Sequence, residues 1–506
     1  MPQLTGLQTG TGQDDVFTGD VSLTELTEDT STAGIFSAIV DSRGGNDRIE
    51  GTSTLAPSST AVPSPRLTLT SYGIQQSSID AGGGNNTVIG TGNSRGSEQG
   101  QGVATSYGLA SSSVNAGGGN DTFTFTGNAS FATSLTSGGV LDASLDSGGG
   151  NDIISIEGSD AGNPPSRSSS ASVVGAENST VRAGSGQDEV TVRAIANNSG
   201  SSRAVGVDRG EIGGGRDNDK VLVSAFAFNG GTGAIAARIL GGTGDDTISI
   251  SGGTLTGNAQ GITSNTTVNG GTGNDAIDIQ ATVSNGSGTA RAVEDSTVIG
   301  GSGDDNITLG ATSNGFVSGG QAYGASNAQI RGGAGSDTIL FSAQSFVASN
   351  AETYGVAQSE VRGGAGDDTI RATSSPSAPN STGYGIFESQ VYGGSGNDTI
   401  EAATSNEGTL DIQDALLDGG AGDDRFDAGI GSGTIRGGAG NDVAVVDFFD
   451  EQTMDFEIIR GGVRISGTLD KSGKELAWSQ DILGVERLQF GAEVASIQAF
   501  ATKFSQ

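Results

Sequence analysis

Residues 354–372 read YGVAQSEVRGGAGDDTIRA. The aliphatic Val361 precedes a glycine-rich run, Gly363 to Asp368, after which Ile370 and Ala372 alternate with Thr369 and Arg371. Alternation at every second place describes a strand with one buried face, and a run of glycines permits the positive φ angles of a tight turn. The stretch reads as strand, turn, strand.

The pattern returns along nearly the whole chain. Turns of the form Gly-Gly-x-Gly-x-Asp, with small variations, can be placed in fifteen copies, whose sixth positions are Asp14, Asp47, Asn86, Asp121, Asp152, Asp188, Asp219, Asp246, Asp275, Asp305, Asp337, Asp368, Asp398, Asp424 and Asp442. Seven residues before the sixth position every copy carries an aliphatic residue, from Leu7 and Val40 to Leu417 and Ile435. Two residues after it, fourteen carry Val, Ile or Phe, beginning with Val16, and Ala444 is the exception. A Tyr-Gly pair recurs at Tyr72, Tyr107, Tyr323, Tyr354 and Tyr384, always 14 residues ahead of the sixth position. Steps between copies run mostly from 26 to 39 residues, so the variable length falls after the outgoing strand.

Strands this short cannot hold a core alone, whereas stacked coils pair at about 4.8 Å and bury their inward side chains in one column. The expectation is an all-β chain: a right-handed parallel β-solenoid of about 15 coils over residues 1–442 and a small separate C-terminal module over 443–506. A disordered Gly/Ser-rich chain has a similar composition but no reason to keep the aliphatic register.

Composition narrows the chemistry. The 506 residues include 89 Gly without a three-residue period and only 8 Pro, which excludes collagen. With no Cys and no His, disulfides, histidine-dependent triads and imidazole-ligated zinc are excluded. A net charge of −34 argues against nucleic acid and anionic membranes as partners and for cations. Met1 to Gly10 lacks the basic and apolar regions of a cleaved leader, and no run of about 18 apolar residues is present, so membrane insertion is not expected.

The glycine turns offer backbone carbonyls and one carboxylate each, an oxygen-only and flexible donor set that suits Ca²⁺. The runs GGTGDDTISI (Gly241 to Ile250), GGTGNDAIDI (Gly270 to Ile279) and GGSGNDTIEA (Gly393 to Ala402) resemble the nonapeptide of the RTX (repeats in toxin) family. That resemblance implies a Ca²⁺-binding β-roll element in which turn carbonyls and the sixth-position Asp of one coil share an ion with the next turn. The implied metal residues are Asp121, Asp152, Asp188, Asp246, Asp275, Asp305, Asp337, Asp368, Asp398, Asp424 and Asp442, with the less regular copies at Asp14, Asp47, Asn86 and Asp219. The chain departs from the tandem RTX pattern, because most coils carry one turn in about 30 residues, which predicts one ion row on one edge. Fifteen turns leave fourteen gaps, and up to about 14 Ca²⁺ would bring the charge of −34 to about −6. The competing reading makes these Asp residues turn formers only. The metal reading predicts an expanded apo chain that becomes ordered at about 0.1–1 mM Ca²⁺.

After Asp442 the composition changes: three of the four Lys (Lys471, Lys474, Lys503) and the only Trp (Trp478) lie there. The segment Ile482 to Gly491, ILGVERLQFG, resembles a signature near the C-terminus of RTX type I secretion substrates. Val494, Ile497, Phe500 and Phe504 follow at helical steps, as an uncleaved export helix or a capping element would place them.

The expected function is a secreted Ca²⁺-binding protein, structural or adhesive, at the bacterial cell surface or in the extracellular matrix, folding after export by type I machinery and not an enzyme. An extracellular lyase or epimerase on polysaccharide, using Arg, Tyr and Ca²⁺, is the alternative. A pore-forming toxin lacks its long apolar domain here, and an ice-binding face would need a Thr ladder, whereas Thr follows the sixth position in only six copies. The Tyr-Gly marks could form a packing ladder or a row for surface polysaccharide. A first copy so close to Met1 also raises head-to-tail self-association.

Overall fold

In the computed structural model the chain is a parallel β-solenoid. The structure describes residues 3–24, 26, 28–57, 67–96, 102–160, 170–197, 201–286, 288–315, 319–347, 349–377, 380–405, 410–446, 453–471, 474–490 and 493–499. Two compact units divide it, Met1–Val268 and Asn269–Gln506.

Each full coil has three straight stretches, as in Glu352–Ala357, Glu360–Ala365 and Thr369–Pro376. The first two lie in one sheet and the third in the other. Within each unit most stretches pair in parallel and in register with their counterparts in the next coil, with register shifts at Leu4/Gly6 and Gln413/Ala415. Inward positions therefore form columns: Val88, Phe123, Ile154, Val190, Val221 and Ile248 in the first unit; Ile277, Ile307, Ile339, Ile370, Ile400 and Phe426 in the second. All twelve are buried. Removing each side chain from water is worth about 1.5–3 kcal/mol, which is why so modest an apolar content suffices when it is rationed by position.

The complete turns number about 12 rather than about fifteen. The first and the last two are abbreviated: Leu4–Thr9 has six mostly exposed residues, and Arg425–Asp427 and Val443–Val445 have three each.

The corner between the first two stretches is built by a residue in the left-handed region, for example Gln76 (φ 51°), Asn178 (φ 46°), Asn327 (φ 50°) and Gln358 (φ 51°). A buried Ser often follows. Ser359 Oγ accepts from Ala328 N at 3.0 Å and donates to Ala357 O at 2.7 Å, while Ser359 N donates to Ser389 Oγ at 3.1 Å. Ser77 and Ser112 repeat this in the first unit. The serine enrichment of the chain thus has a structural use: it satisfies backbone groups at a bend where the strand ladder breaks.

Beyond Asp442, Thr453–Ile459, Gly462–Lys471 and Lys474–Leu483 form an antiparallel meander. It joins the solenoid through Gln480–Leu483 beside Gly433–Arg436, and Arg487–Gln489 beside Val443–Val445. The expected export helix begins differently. Glu493–Ser496 is a strand paired with Arg487–Phe490, so Val494 belongs to a β-hairpin, and helix covers only Ile497–Ala499 among the described residues. Phe500, Phe504 and Lys503 lie outside the described residues.

Candidate metal centre

The glycine turns stack along one edge of the coils, and from Gly214 to Gly437 their first residue is glycine for a steric reason. A Cβ on Gly363 would lie 2.3 Å from Asp368 Oδ2 and 2.7 Å from the carbonyl oxygen of Gly393 in the next coil. Gly300 and Gly332 stand in the same relation to Asp305 and Asp337 and to the carbonyls of Gly332 and Gly363. The missing Cβ leaves a small cradle walled by a carboxylate and a carbonyl. The second and fourth residues, Gly364 (φ 130°) and Gly366 (φ 123°), adopt backbone conformations that favour glycine.

The sixth-position side chains form a buried ladder. Oδ1 of each accepts from the backbone N–H of the preceding sixth residue: Asp337 N to Asp368 at 2.8 Å, Asp368 N to Asp398 at 2.9 Å, Asp398 N to Asp424 at 2.9 Å and Asp424 N to Asp442 at 2.8 Å. Asp275 N donates likewise to Asp305, and Asp305 N to Asp337. In the first unit the same bonds link Asp47, Asn86, Asp121, Asp152, Asp188, Asp219 and Asp246. Asp219 is regular despite its unusual turn, because Asp217 takes the left-handed place (φ 72°).

Oδ2 is the unusual atom. In Asp305, Asp337, Asp368, Asp398, Asp424 and Asp442, as in Asp121 and Asp188, it is buried without a hydrogen-bond partner. Burial is the main cause that pushes the carboxyls of Asp305, Asp337 and Asp398 up to about 6, and those of Asp121, Asp188, Asp219, Asp368 and Asp424 up to about 7. A repeated buried anionic oxygen facing carbonyls calls for a positive group. Asn86 supplies one from the chain: its Nδ2 donates to Gly84 O at 3.0 Å and to Ala116 O at 3.3 Å. Where Asp stands instead, a cation fits, and the all-oxygen donors fit Ca²⁺. Among the described residues no three acidic side chains converge, so such a site would rely on carbonyls beside its carboxylate.

The first copy is shifted by one residue from the sequence reading. Asp15, rather than Asp14, occupies the sixth place: Asp15 N donates to Asp47 Oδ1 at 2.8 Å, and Val16 pairs with Arg48. Leu7 and Val16 accordingly face outward, 70% and 68% exposed. Asp14 takes the fifth place, accepting from Asn46 N at 2.8 Å. Both residues are acidic, which hid the slip.

The fifth place holds a second ladder that the repeat reading left as an unspecified residue. Asn120 N donates to Asn85 Oδ1 at 2.8 Å, Asp304 N to Asn274 Oδ1 at 2.8 Å and Asn397 N to Asp367 Oδ1 at 2.6 Å. Its signal in the sequence is the frequency of Asn and Asp immediately before the sixth position.

The row ends on the tail. Asp442 N donates to Glu486 Oε2 at 2.8 Å, Arg487 N donates to Asp442 O, and Leu488 continues the inward column beside Ala444. Glu486 therefore takes a further sixth position, and the Gly484 carbonyl stands 2.3 Å from where a Cβ on Gly437 would be. Only four residues separate the inward Ile482 from Glu486, against seven in the repeats, and the longer glutamate side chain offsets the shorter turn. Glu486→Ala should leave Asp442 N unpaired at a cost of about 1–3 kcal/mol. Hydrogen exchange should then quicken over 474–490 and stay unchanged over 352–376; unchanged exchange in both would refute the terminal role.

The tyrosines stack on one another. Tyr323 and Tyr354 lie 4.9 Å apart at 13°, Tyr354 and Tyr384 6.0 Å at 23°, and Tyr72 and Tyr107 6.0 Å at 14°. Arg291 covers the Tyr323 ring at 4.9 Å. Rings paired face to face present edges outward, which is the geometry of a packing ladder rather than of sugar stacking.

Among the described residues no helix is long and apolar enough to cross a membrane. Four segments, 324–343, 360–374, 390–406 and 416–444, match the RTX calcium-binding nonapeptide repeat. No curated protein and no solved structure matches the chain. The matched segments contain the turns ending at Asp337, Asp368, Asp398, Asp424 and Asp442, so the chain carries RTX calcium-binding repeats on a parallel β-solenoid.

Proposed function

We propose that the protein is secreted, binds Ca²⁺ along its turn edge, folds after type I export, and serves a structural or adhesive role at the bacterial cell surface or in the extracellular matrix. The observation that carries this reading is the file of buried Asp oxygens facing carbonyls in turns that match RTX repeats. Such a chain gains its order where Ca²⁺ is abundant, outside the cell.

We read it as a scaffold and not as an enzyme. Several coil arginines are engaged by carboxylates: Glu211 holds Arg182 at 3.3 Å and Arg238 at 3.0 Å, Glu401 holds Arg371 at 3.2 Å, and Glu177 holds Arg209 at 2.7 Å. Partners in keeping with this reading are Ca²⁺, the type I apparatus, surface polysaccharide and further copies of the chain through the exposed edge strand Leu4–Thr9.

Fusing residues 443–506 to a passenger should deliver it to the medium only in cells with a type I apparatus; retention in those cells would refute export. In millimolar Ca²⁺ the whole chain should release no unsaturated product from alginate or pectate, and such product would favour the lyase.

A further inference from the structure

The turns fall into two classes by their first residue. Five consecutive turns of the first unit begin with Ser42, Ala81, Ala116, Ser147 and Ala183. From Gly214 to Gly437 all nine begin with glycine; the first turn does too, at Gly10, but there Thr11 N donates to Asp15 Oδ2 at 2.7 Å, so its carboxylate oxygen is already partnered. The sixth-position oxygen is the same in both classes: Asp121 Oδ2 is buried and unpartnered, as is Asp368 Oδ2, and the two residues are each 1% exposed. The other walls of the cradle differ.

In the Ser/Ala class the opposing carbonyl is often already taken. Ser42 Oγ donates to Ala81 O at 2.8 Å, Asn86 Nδ2 to Ala116 O at 3.3 Å and Ser147 Oγ to Ala183 O at 2.5 Å. These three groups place a protein donor where the glycine class has open space. In the turns headed by Ala116 and Ala183 a methyl group stands at that position. The second residue also turns at a smaller φ, 74°, 85° and 92°, at Gly82, Gly117 and Gly148, while Gly184 at 107° falls within the 106–132° of the glycine class.

Resting on the Ca²⁺ reading above, we infer that the ion row is confined to the nine glycine-headed turns from Gly214 to Gly437, and that turns 42–188, where a chain donor or a methyl group fills the cradle, hold no ion. The chain would then bind at most nine Ca²⁺ instead of fourteen and join a metal-independent stretch to a metal-dependent one.

The test counts Ca²⁺ bound to the full chain at saturation by elemental analysis, for wild type, Asp121→Asn and Asp368→Asn. Asn at 368 reproduces the chemistry of Asn86, so the stack has a precedent for accepting it. Wild type should hold no more than nine ions, Asp121→Asn the same number, and Asp368→Asn one or two fewer. More than nine in wild type, or a loss in Asp121→Asn, overturns the inference while leaving the Ca²⁺ reading intact; no bound ion overturns both. Hydrogen exchange of the wild type gives an independent check: Ca²⁺ should slow exchange over Gly363–Asp368 and leave Gly117–Asp121 unchanged, and equal slowing in both overturns the inference.

Discussion

In excess chelator at pH 7.5, the turns of Asn269–Gln506 are expected to open and lose β-structure, and millimolar Ca²⁺ to restore it. The reason is the cost of buried charge. Asp305, Asp337 and Asp398, with carboxyls pushed from 3.8 to about 6, and Asp368 and Asp424, pushed to about 7, must all be ionised at that pH. Burial dominates each shift, and neighbouring aspartates add to it at several, as Asp337 and Asp398 do at Asp368. A shift of two to three pH units corresponds to about 3–4 kcal/mol per group. Such costs, repeated along one row, are large beside the roughly 5–15 kcal/mol that holds an ordinary domain together. Far-UV circular dichroism with hydrogen exchange measures the effect directly. The expected signature is loss of protection over the strands between Thr289 and Val445. Identical spectra and exchange in chelator and in Ca²⁺ would mean that the carboxylates only shape turns.

Acid should substitute for the metal. A carboxyl whose folded pKa lies above its unfolded 3.8 holds its proton more tightly in the fold. Its contribution to stability is therefore complete below about pH 4 and is lost as pH rises through about 6 to 7. Metal-free chain brought from pH 7.5 to pH 5 should regain β-signal, the reverse of a protein held by carboxylate salt bridges. With Ca²⁺ present, protons compete for the same oxygens, so the Ca²⁺ midpoint should rise as pH falls below 7, by up to about tenfold per pH unit for each carboxylate that must release its proton. A β-signal in chelator that stays flat or falls between pH 7.5 and 5 would contradict the assignment of Oδ2 as a buried, uncompensated anion.

Much of this was legible in the residues because the fold is local and repeated. The inward columns, Val361 and Ile370 among them, follow from period-two alternation, and the sixth-position aspartates follow from the spacing of glycines. The slip at Asp14 shows the limit: beside Asp15 two acidic residues compete for one place, and only the pairing of Val16 with Arg48 selects between them. The corner serines Ser77, Ser112, Ser179, Ser296, Ser359 and Ser389 do share a register, nine residues before the sixth position, but the register does not say what their hydroxyls bond. Their burial depends on which coil stands next to which. Glu486 lies in the stretch that resembles an export signature, and its role at the end of the ladder needs a contact across 44 residues, with Asp442.

Taken alone, the sequence determined a stacked β-chain with one glycine edge and an appetite for cations, because strand periodicity, glycine's φ range and net charge are properties of neighbouring residues. Which oxygens are left without a partner, which cradles are already filled by Ser42, Asn86 or Ser147, and where the row stops were decided only by tertiary structure. Each of those depends on the distance between turns some 30 residues apart, and a short-range pattern carries no record of it.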